Sequence, residues 1–171
     1  TYAQTVNVDE AETRGIEGAF RYLIGGGWSL NGNYTYTDTE QTSGSEIGRP
    51  LNDTPAHMVN GAVRYQHSDA LNVWLRGEYR SSRYRSEDTA TSRAKAIYGD
   101  YKAYAVFHLG GSYKVNDKVS INAAVYNLFD KDFVEYAPYV SNTATGAISY
   151  TNLYSNNQEP RRLWLSVTTE F

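Results

Sequence analysis

The feature of this sequence that most constrains its fold is an alternation of apolar and polar residues with a period of two. In the last twelve residues, one set of alternate positions holds Leu163, Leu165, Val167, Thr169 and Phe171, and the other, mostly polar set holds Arg162, Trp164, Ser166, Thr168 and Glu170. Such alternation is typical of a β-strand whose two faces meet different environments. The sequence ends on Phe171, and an aromatic residue at a strand end is expected at the interface of a membrane β-barrel.

The same alternation recurs along the rest of the chain. It predicts six earlier strands, at residues 16–24, 28–37, 58–66, 71–80, 101–114 and 119–126. With the final segment, the sequence predicts about seven strands and an all-β fold. Because short glycine-containing or polar turns join several neighbouring segments, we expect an antiparallel meander of hairpins.

The connections between the predicted strands alternate between short and long. Short turns are predicted at 25–27, 67–70 and 115–118, and long polar loops at 38–54, 82–99 and 132–159. In a meander this order places every short turn at one end of the sheet and every long loop at the other. Outer-membrane barrels have this arrangement, with short periplasmic turns and longer outer loops.

The composition agrees with strands that cross a membrane. Mean hydropathy is −0.59, and no stretch approaches the roughly 18 apolar residues of a membrane helix, whereas a barrel strand needs about 9–11 alternating residues. Aromatic residues at the ends of the apolar faces suit the girdles of a barrel; they are Trp28, Tyr36, Tyr65, Tyr79, Tyr101 and Tyr113. A soluble β-sandwich also alternates and is the alternative fold, although several predicted strands are long for one.

Several function classes have no support in the sequence. The net charge of −3 gives no electrostatic basis for nucleic-acid binding. The chain has no cysteine, and His57, His67 and His108 lack ligand spacing, so we expect no metal site. No catalytic motif is present, and we expect no enzyme activity. The chain starts at Thr1 rather than Met, and we expect it to be part of a longer protein.

Four segments together resemble a known family. Their residues, in chain order, are Asn7-Val8 with Ala11, Gly15 and Glu17; Leu51-Asn52-Asp53-Thr54-Pro55-Ala56-His57; Tyr126-Asn127-Leu128-Phe129-Asp130-Lys131; and Glu159-Pro160-Arg161-Arg162 leading to Phe171. In this order the segments resemble the C-terminal part of TonB-dependent outer-membrane receptors, with most similarity to the ferric-catecholate and colicin-receptor branch. Arg161 stands where that family usually has glycine.

The resemblance implies that residues 1–171 are the C-terminal part of a 22-stranded, plugged outer-membrane barrel, with the plug domain and earlier strands outside this chain. It implies active uptake of a ferric siderophore, energised by the TonB complex through the plug, with no cofactor of its own. It also implies contact with lipid and lipopolysaccharide, insertion by the barrel-assembly machinery through a signal at Phe171, and exploitation by a colicin or phage. A passive porin is the alternative function, and a soluble binding module a further one.

Candidate ligand-binding residues follow from the charge expected of the ligand. An anionic chelate would be attracted by cations near the outer mouth of the lumen, and loop arginine and tyrosine side chains could stack on an aromatic ligand. The predicted lumenal residues are Arg76, Arg80 and Arg83, and the predicted loop residues are Arg85, Arg93, Tyr98, Tyr136, Tyr139 and Tyr150. The plainer interpretation is a solvated inner wall and self-packed loops.

Overall fold

The computed structural model describes residues 10–87, 95–96, 98–132, 135–142, 144–145, 147–153 and 159–170. Its strands are β1 (Ala11–Gly25), β2 (Trp28–Gln41), β3 (His57–Gln66), β4 (Leu71–Arg80), β5 (Tyr104–Asn116), β6 (Val119–Tyr126), β7 (Glu135–Asn142), β8 (Ala147–Leu153) and β9 (Arg162–Thr169). Among the described residues, no helix is long and apolar enough to cross a bilayer.

Seven of these strands form one antiparallel sheet in the order β1-β2-β3-β4-β5-β6-β9. Each strand pairs with its neighbour in chain order, which confirms the predicted meander. The short turns all lie at one end of this sheet. At the first of them, Gly25, Gly26 and Gly27 all have positive φ (96°, 60° and 85°), a conformation that favours glycine.

The prediction of a plain loop at 132–159 was wrong. Strands β7 and β8 form a separate antiparallel hairpin there, with Tyr139 opposite Ser149. The physical reason lies in composition, because Tyr, Val, Ile and Thr favour extended backbone although Asn and Ser dilute them. The hairpin lies between β6 and β9 in the chain, which is why β9 pairs directly with β6 in the main sheet.

Three strand boundaries also differ from the prediction by three residues or more. Strands β1 and β2 extend outward beyond the apolar segment, with Glu12 opposite Glu40. Backbone pairing satisfies the same N–H and C=O groups whether or not the side chains are apolar, so alternation underestimates the length of a hairpin that leaves the membrane. In contrast, β5 begins at Tyr104 rather than at 101.

The strand register places apolar side chains in continuous rows on one face. One row crosses six strands through paired residues Leu30, Val63, Leu75, Leu109, Val125 and Leu163. The adjacent row on the opposite face contains Asn31, Ala62, Arg76 and His108. The sheet therefore has one apolar face and one polar face over its whole width, as the alternation predicts.

No described part of the chain covers the apolar face. The exposed fractions of Leu163, Leu165 and Val167 are 78%, 69% and 58%. In water, each large apolar side chain left exposed forfeits about 1.5–3 kcal/mol of burial free energy, and a continuous patch of this kind marks an interaction surface. A β-sandwich would cover it with a second sheet, but in the described chain the β7–β8 hairpin contacts none of the main strands.

Aromatic side chains border the apolar face at both ends. At the short-turn end, Trp28 stacks on Tyr65 with ring centroids 4.5 Å apart. At the long-loop end, the Tyr34 hydroxyl lies 2.8 Å from Nδ1 of His57. Along β3, His57 and Tyr65 are about 27 Å apart, and a strand tilt of about 35–45° reduces this to about 19–22 Å, close to the apolar band of an outer-membrane barrel, about 25 Å tall.

One residue predicted for these girdles lies elsewhere. Tyr101 is 6% exposed, and its backbone exchanges two hydrogen bonds of 3.0 Å with Arg83. The prediction was wrong because residue 101 precedes β5 and belongs to the packed loops at its outer end.

Candidate functional site

The polar face of the main sheet carries an excess of positive charge. Within its seven strands, the Lys and Arg residues at polar-face positions are Arg21, Arg64, Arg76, Arg80, Lys114 and Arg162. The carboxylates at equivalent positions in these described strands are Glu17 and Glu78. The field over this face therefore favours anions, although the chain as a whole is acidic.

A cleft of about 570 Å³ lies on this face, with the buried Ala62 in its lining. Arg64 and Arg76 line it, and both side chains are exposed. The guanidinium of Arg76 stacks 4.6 Å from the ring centroid of Trp74. Among the described side chains, neither Arg64 nor Arg76 forms an ion pair, so their charge is available to an anion in the cleft.

Arg80 is used differently from Arg76. Its Nη1 donates to the Asn60 side-chain oxygen at 3.1 Å, and Asn60 donates in turn to Asn33 at 2.8 Å. Its Nη2 lies 3.5 Å from Glu78. This network crosses β2, β3 and β4 and partly neutralises Arg80, so Arg80 contributes less to the field over the cleft than Arg76 does.

His108 also lines the cleft, and its tautomer is fixed. The backbone N–H of Asn127 donates to Nδ1 of His108 at 3.0 Å. Because Nδ1 is the acceptor, the neutral imidazole carries its proton on Nε2. His108 therefore presents an N–H donor beside the Arg76 position that pairs with it across β4 and β5.

The two loops beyond β2 and β4 pack together around Arg83. This side chain is 7% exposed, and its Nη1 lies 2.9 Å from Asp53. The guanidinium also lies 5.1 Å from the ring centroid of Tyr101 and 5.4 Å from that of Tyr104. Backbone bridges link Arg83 to Pro55 and Tyr101. Arg83 thus joins the start of β3 to the segment before β5.

Arg85 is the most deeply buried side chain of this loop cluster, with no exposed surface. Its guanidinium lies 3.8 Å from the ring centroid of Tyr101, and its Nε donates to the Gly99 carbonyl at 3.0 Å. Its backbone N–H donates to Asp100 at 3.1 Å. Burial raises the pKa of Asp100, but its bonds to Lys95 and Arg85 outweigh burial and lower that pKa overall.

Glu46 is the hydrogen-bond centre between the same two loops. Its carboxylate accepts from the Tyr84 hydroxyl at 2.8 Å, from the Ser86 hydroxyl at 2.7 Å and from the Glu87 backbone N–H at 2.6 Å. Burial raises the pKa of Glu46, but these bonds outweigh burial and lower that pKa overall. Burial, followed by the bond to Glu46, raises the pKa of Tyr84 to about 12.

The predicted ligand residues therefore fall into four groups. Arg76 and Arg80 lie on the polar face as predicted, whereas Arg83 and Arg85 lie inside the loop cluster, and their direct contact with a ligand stays a prediction. Tyr98 is half-buried beside this cluster. The backbones of Tyr136, Tyr139 and Tyr150 lie in the β7–β8 hairpin, while Arg93 and the assembly signal predicted at Phe171 lie outside the described residues.

Sequence reasoning missed one residue that lines the cleft, His108, and one that stacks on the cleft residue Arg76, Trp74. Trp74 was placed on the polar face but not connected with Arg76, although an aromatic residue among polar positions is a visible signal. The position of His108 on the same face was also visible, but its bond to Asn127 depends on how the chain turns after β6. Among the described residues, no group of three or more His, Asp or Glu side chains could hold a metal ion.

Fold and site together define a class of protein. An antiparallel meander with an apolar outer face, aromatic borders and a charged inner face has the construction of an outer-membrane β-barrel wall. The chain belongs to the family of TonB-dependent receptor-like β-barrels, whose model matches residues 1–128. This is a family of bacterial outer-membrane transport receptors, so the chain is placed in the outer membrane, and the count of 22 strands for the whole barrel is inferred from the family.

Relatives of known name support this assignment. The chain is 40% identical over 136 residues to the iron-regulated outer membrane virulence protein of Vibrio cholerae, covering 78% of this chain and 20% of that protein. It is 28% identical over 177 residues to the ferric enterobactin receptor of Pseudomonas aeruginosa, covering 98% of this chain and 22% of that protein. The chain thus spans about a fifth of the length of these relatives.

A solved structure agrees with the fold. A mutant of the ferric enterobactin receptor of Pseudomonas aeruginosa, in complex with enterobactin, superposes with a TM-score of 0.72 at 26% identity, covering 96% of this chain and 23% of that chain. The likeness thus extends beyond residue 128, to the part of the chain that contains β7, β8 and β9.

Proposed function

We propose that this chain is part of a receptor that takes up a ferric siderophore of the anionic, catecholate type across the outer membrane. The observation that carries the proposal is the excess of cations on the polar face, with Arg64 and Arg76, which form no ion pair with a described side chain, at a cleft of about 570 Å³. Named relatives that are ferric enterobactin receptors support the same ligand class.

The geometry supports different roles for the outer loops and the inner wall. The outer loops capture the chelate, and the cations of the inner wall raise its local concentration once it enters the lumen. Electrostatic focusing of this kind can speed capture by about 10- to 1,000-fold. Movement through the barrel draws on the TonB complex, which acts through a plug outside this chain. No bond in the ligand is made or broken, so the proposed function is transport and not enzyme catalysis.

Removal of the cleft charges tests this proposal. In the full-length receptor, produced in cells that lack their own siderophore receptors, we expect an Arg64→Gln, Arg76→Gln double variant to take up an anionic ferric catecholate several-fold more slowly. Uptake of a neutral ferric hydroxamate, if the receptor accepts one, should change little, because the variant loses only the electrostatic attraction of the two guanidinium groups. The measurement is the initial rate of radiolabelled iron uptake.

Lys114→Gln is the matched control. Lys114 lies on the same face but is paired with Asp117 at 2.9 Å, so its removal should leave uptake unchanged. Equal uptake by the double variant and this control would remove the electrostatic basis of the proposal. Absence of TonB-dependent uptake of any ferric catecholate by the wild-type receptor would overturn the ligand class itself.

The remaining partners belong to the same proposal. Lipid and lipopolysaccharide would contact the apolar face and its outer aromatic border, and the barrel-assembly machinery would insert the strands. A colicin or phage could bind the outer loops. A passive porin is the competing function, and it would conduct ions without energy from TonB, which a conductance assay on the full-length protein would reveal.

A further inference from the structure

The residue at the outer end of β6 is buried in an unusual backbone conformation. Asn127 is 3% exposed, with a φ of 49°. Asparagine is among the residues that most readily adopt this left-handed conformation. The conformation ends β6 and begins the segment that leads to the β7–β8 hairpin.

The Asn127 side chain joins the residues that precede the β7–β8 hairpin to the residues that follow it. Its Nδ2 donates to the Lys131 carbonyl at 2.9 Å and to the Glu159 carbonyl at 3.1 Å. Its Oδ1 accepts from the Lys131 backbone N–H at 2.7 Å. One amide group therefore holds the chain that leaves β6 against the chain that returns to β9.

A second tie lies beside the first. The Asp130 carboxylate accepts from the Arg161 backbone N–H at 3.0 Å, and the Arg161 guanidinium lies 3.7 Å from the other carboxylate oxygen. Arg161 occupies the position where TonB-dependent receptors usually have glycine. The ion pair is therefore a contribution of this chain's own side chain to the same junction.

The junction is also fixed to the main sheet. The Asn127 backbone N–H donates to His108, and the Leu128 backbone N–H donates to the Phe107 carbonyl at 2.7 Å. On the returning side, Arg162 lies 3.0 Å from Glu159 and stacks 4.8 Å from the Tyr126 ring centroid. The described residues before and after the hairpin, 127–131 and 159–162, are thus held to β5, β6 and β9.

We propose that Asn127 is a positioning residue for ligand capture, because it ties Lys131 to Glu159 on either side of the β7–β8 hairpin and so orients the hairpin at the outer mouth. The hairpin carries Tyr136, Tyr139 and Tyr150, three of the predicted ligand residues. The pairing of β6 with β9 already brings together the two ends of the segment between them. The clasp formed by Asn127 and Asp130 therefore fixes the orientation of this segment. This inference rests on the proposed function for its link to capture.

Two substitutions remove the clasp without straining the backbone. Asn127→Asp keeps the acceptor but loses both amide donors, and Asn127→Gly loses every side-chain bond, while both residues tolerate a positive φ. In the full-length receptor, we expect faster amide hydrogen exchange within residues 135–153 in both variants. The concentration of ferric catecholate that gives half-maximal uptake should rise several-fold, with the maximal rate unchanged. Arg161→Gly should give a smaller, salt-sensitive effect.

Asn122→Gly is the matched control for Asn127→Gly, because Asn122 lies in β6 on the polar face, forms no hydrogen bond among the described side chains and is replaced without a change of charge. It should leave both measurements unchanged. The proposal would be overturned if both Asn127 variants showed the same amide hydrogen-exchange rates in the hairpin as the wild-type receptor. A loss of uptake that matches a loss of assembled, heat-modifiable barrel would also overturn it, since that shows a folding role alone. If the wild-type receptor imports no catecholate, the proposed function fails, and the exchange measurement still decides whether the clasp exists.

Discussion

At the residue scale, Glu46 makes the packing of the outer loops depend on pH. Its pKa lies below the ordinary value of 4.5 because hydrogen bonds from Ser86, Glu87 and Tyr84 outweigh the effect of burial. A lowered pKa means that the carboxylate stabilises the packed loops at pH values above 4.5. This contribution is lost as the pH falls through the lowered pKa. The raised pKa of Tyr84 acts at high pH. The contribution of the neutral Tyr84 hydroxyl to loop stability is lost as the pH rises through about 12.

A substitution at Glu46 tests this account. We expect Glu46→Gln in the full-length receptor to increase hydrogen exchange in the loops at 42–50 and 81–87 at neutral pH, since the charged acceptor is lost. The same loops of the wild-type receptor should open only below pH 4.5. Glu40→Gln is the control, because Glu40 is exposed and accepts no hydrogen bond among the described side chains. Equal exchange in the two variants would show that Glu46 does not hold the loops.

Single residues also show where sequence reasoning stopped. The alternation placed Arg76 on the polar face correctly, because a period of two fixes the side of every residue in a strand. The burial of Arg85 against Tyr101 followed no such rule. This burial depends on which loops pack together beyond the sheet, and that packing is set by contacts between residues distant in sequence.

At the element scale, strand type and order were predictable, whereas the ends of the strands were not. The β1–β2 hairpin continues past its apolar residues, and β7 and β8 form although the segment is rich in polar residues. Backbone hydrogen bonding extends β1 and β2, and the preference of Tyr, Val, Ile and Thr for extended backbone favours β7 and β8. Side-chain alternation reports neither effect. Alternation therefore finds the membrane-crossing part of a strand better than its full length.

Close packing between strands gives a prediction at this scale. A Cβ atom at Gly111 would lie 2.5 Å from the Asn72 carbonyl oxygen, which belongs to the β4 backbone. We expect Gly111→Ala to destabilise the β4–β5 pairing by about 1–3 kcal/mol, the usual cost of overpacking. Gly18→Ala is the control, since a Cβ there would meet no atom within 4 Å. The measurement is the midpoint temperature of heat-modifiable migration, and equal midpoints would contradict the prediction.

At the scale of the whole molecule, the main sheet has two edges, β1 and β9, that do not pair with each other. In hydrocarbon, each unpaired backbone group costs several kcal/mol, so an open sheet is unstable in a membrane. We expect residues 1–171 expressed alone to give no heat-modifiable, detergent-stable band. Such a band would show that this chain closes a small barrel or assembles with copies of itself.

The central claim is that one face of this sheet meets lipid and the other meets the aqueous interior of a barrel. Spin labels placed singly along β9 of the full-length receptor in liposomes test it most directly. Labels replacing Leu163, Leu165 and Val167 should be relaxed mainly by oxygen, which concentrates in hydrocarbon, and labels replacing Ser166 and Thr168 mainly by a water-soluble nickel complex. Oxygen access that fails to alternate along β9, or that is low at Leu163 and Leu165, would contradict the account.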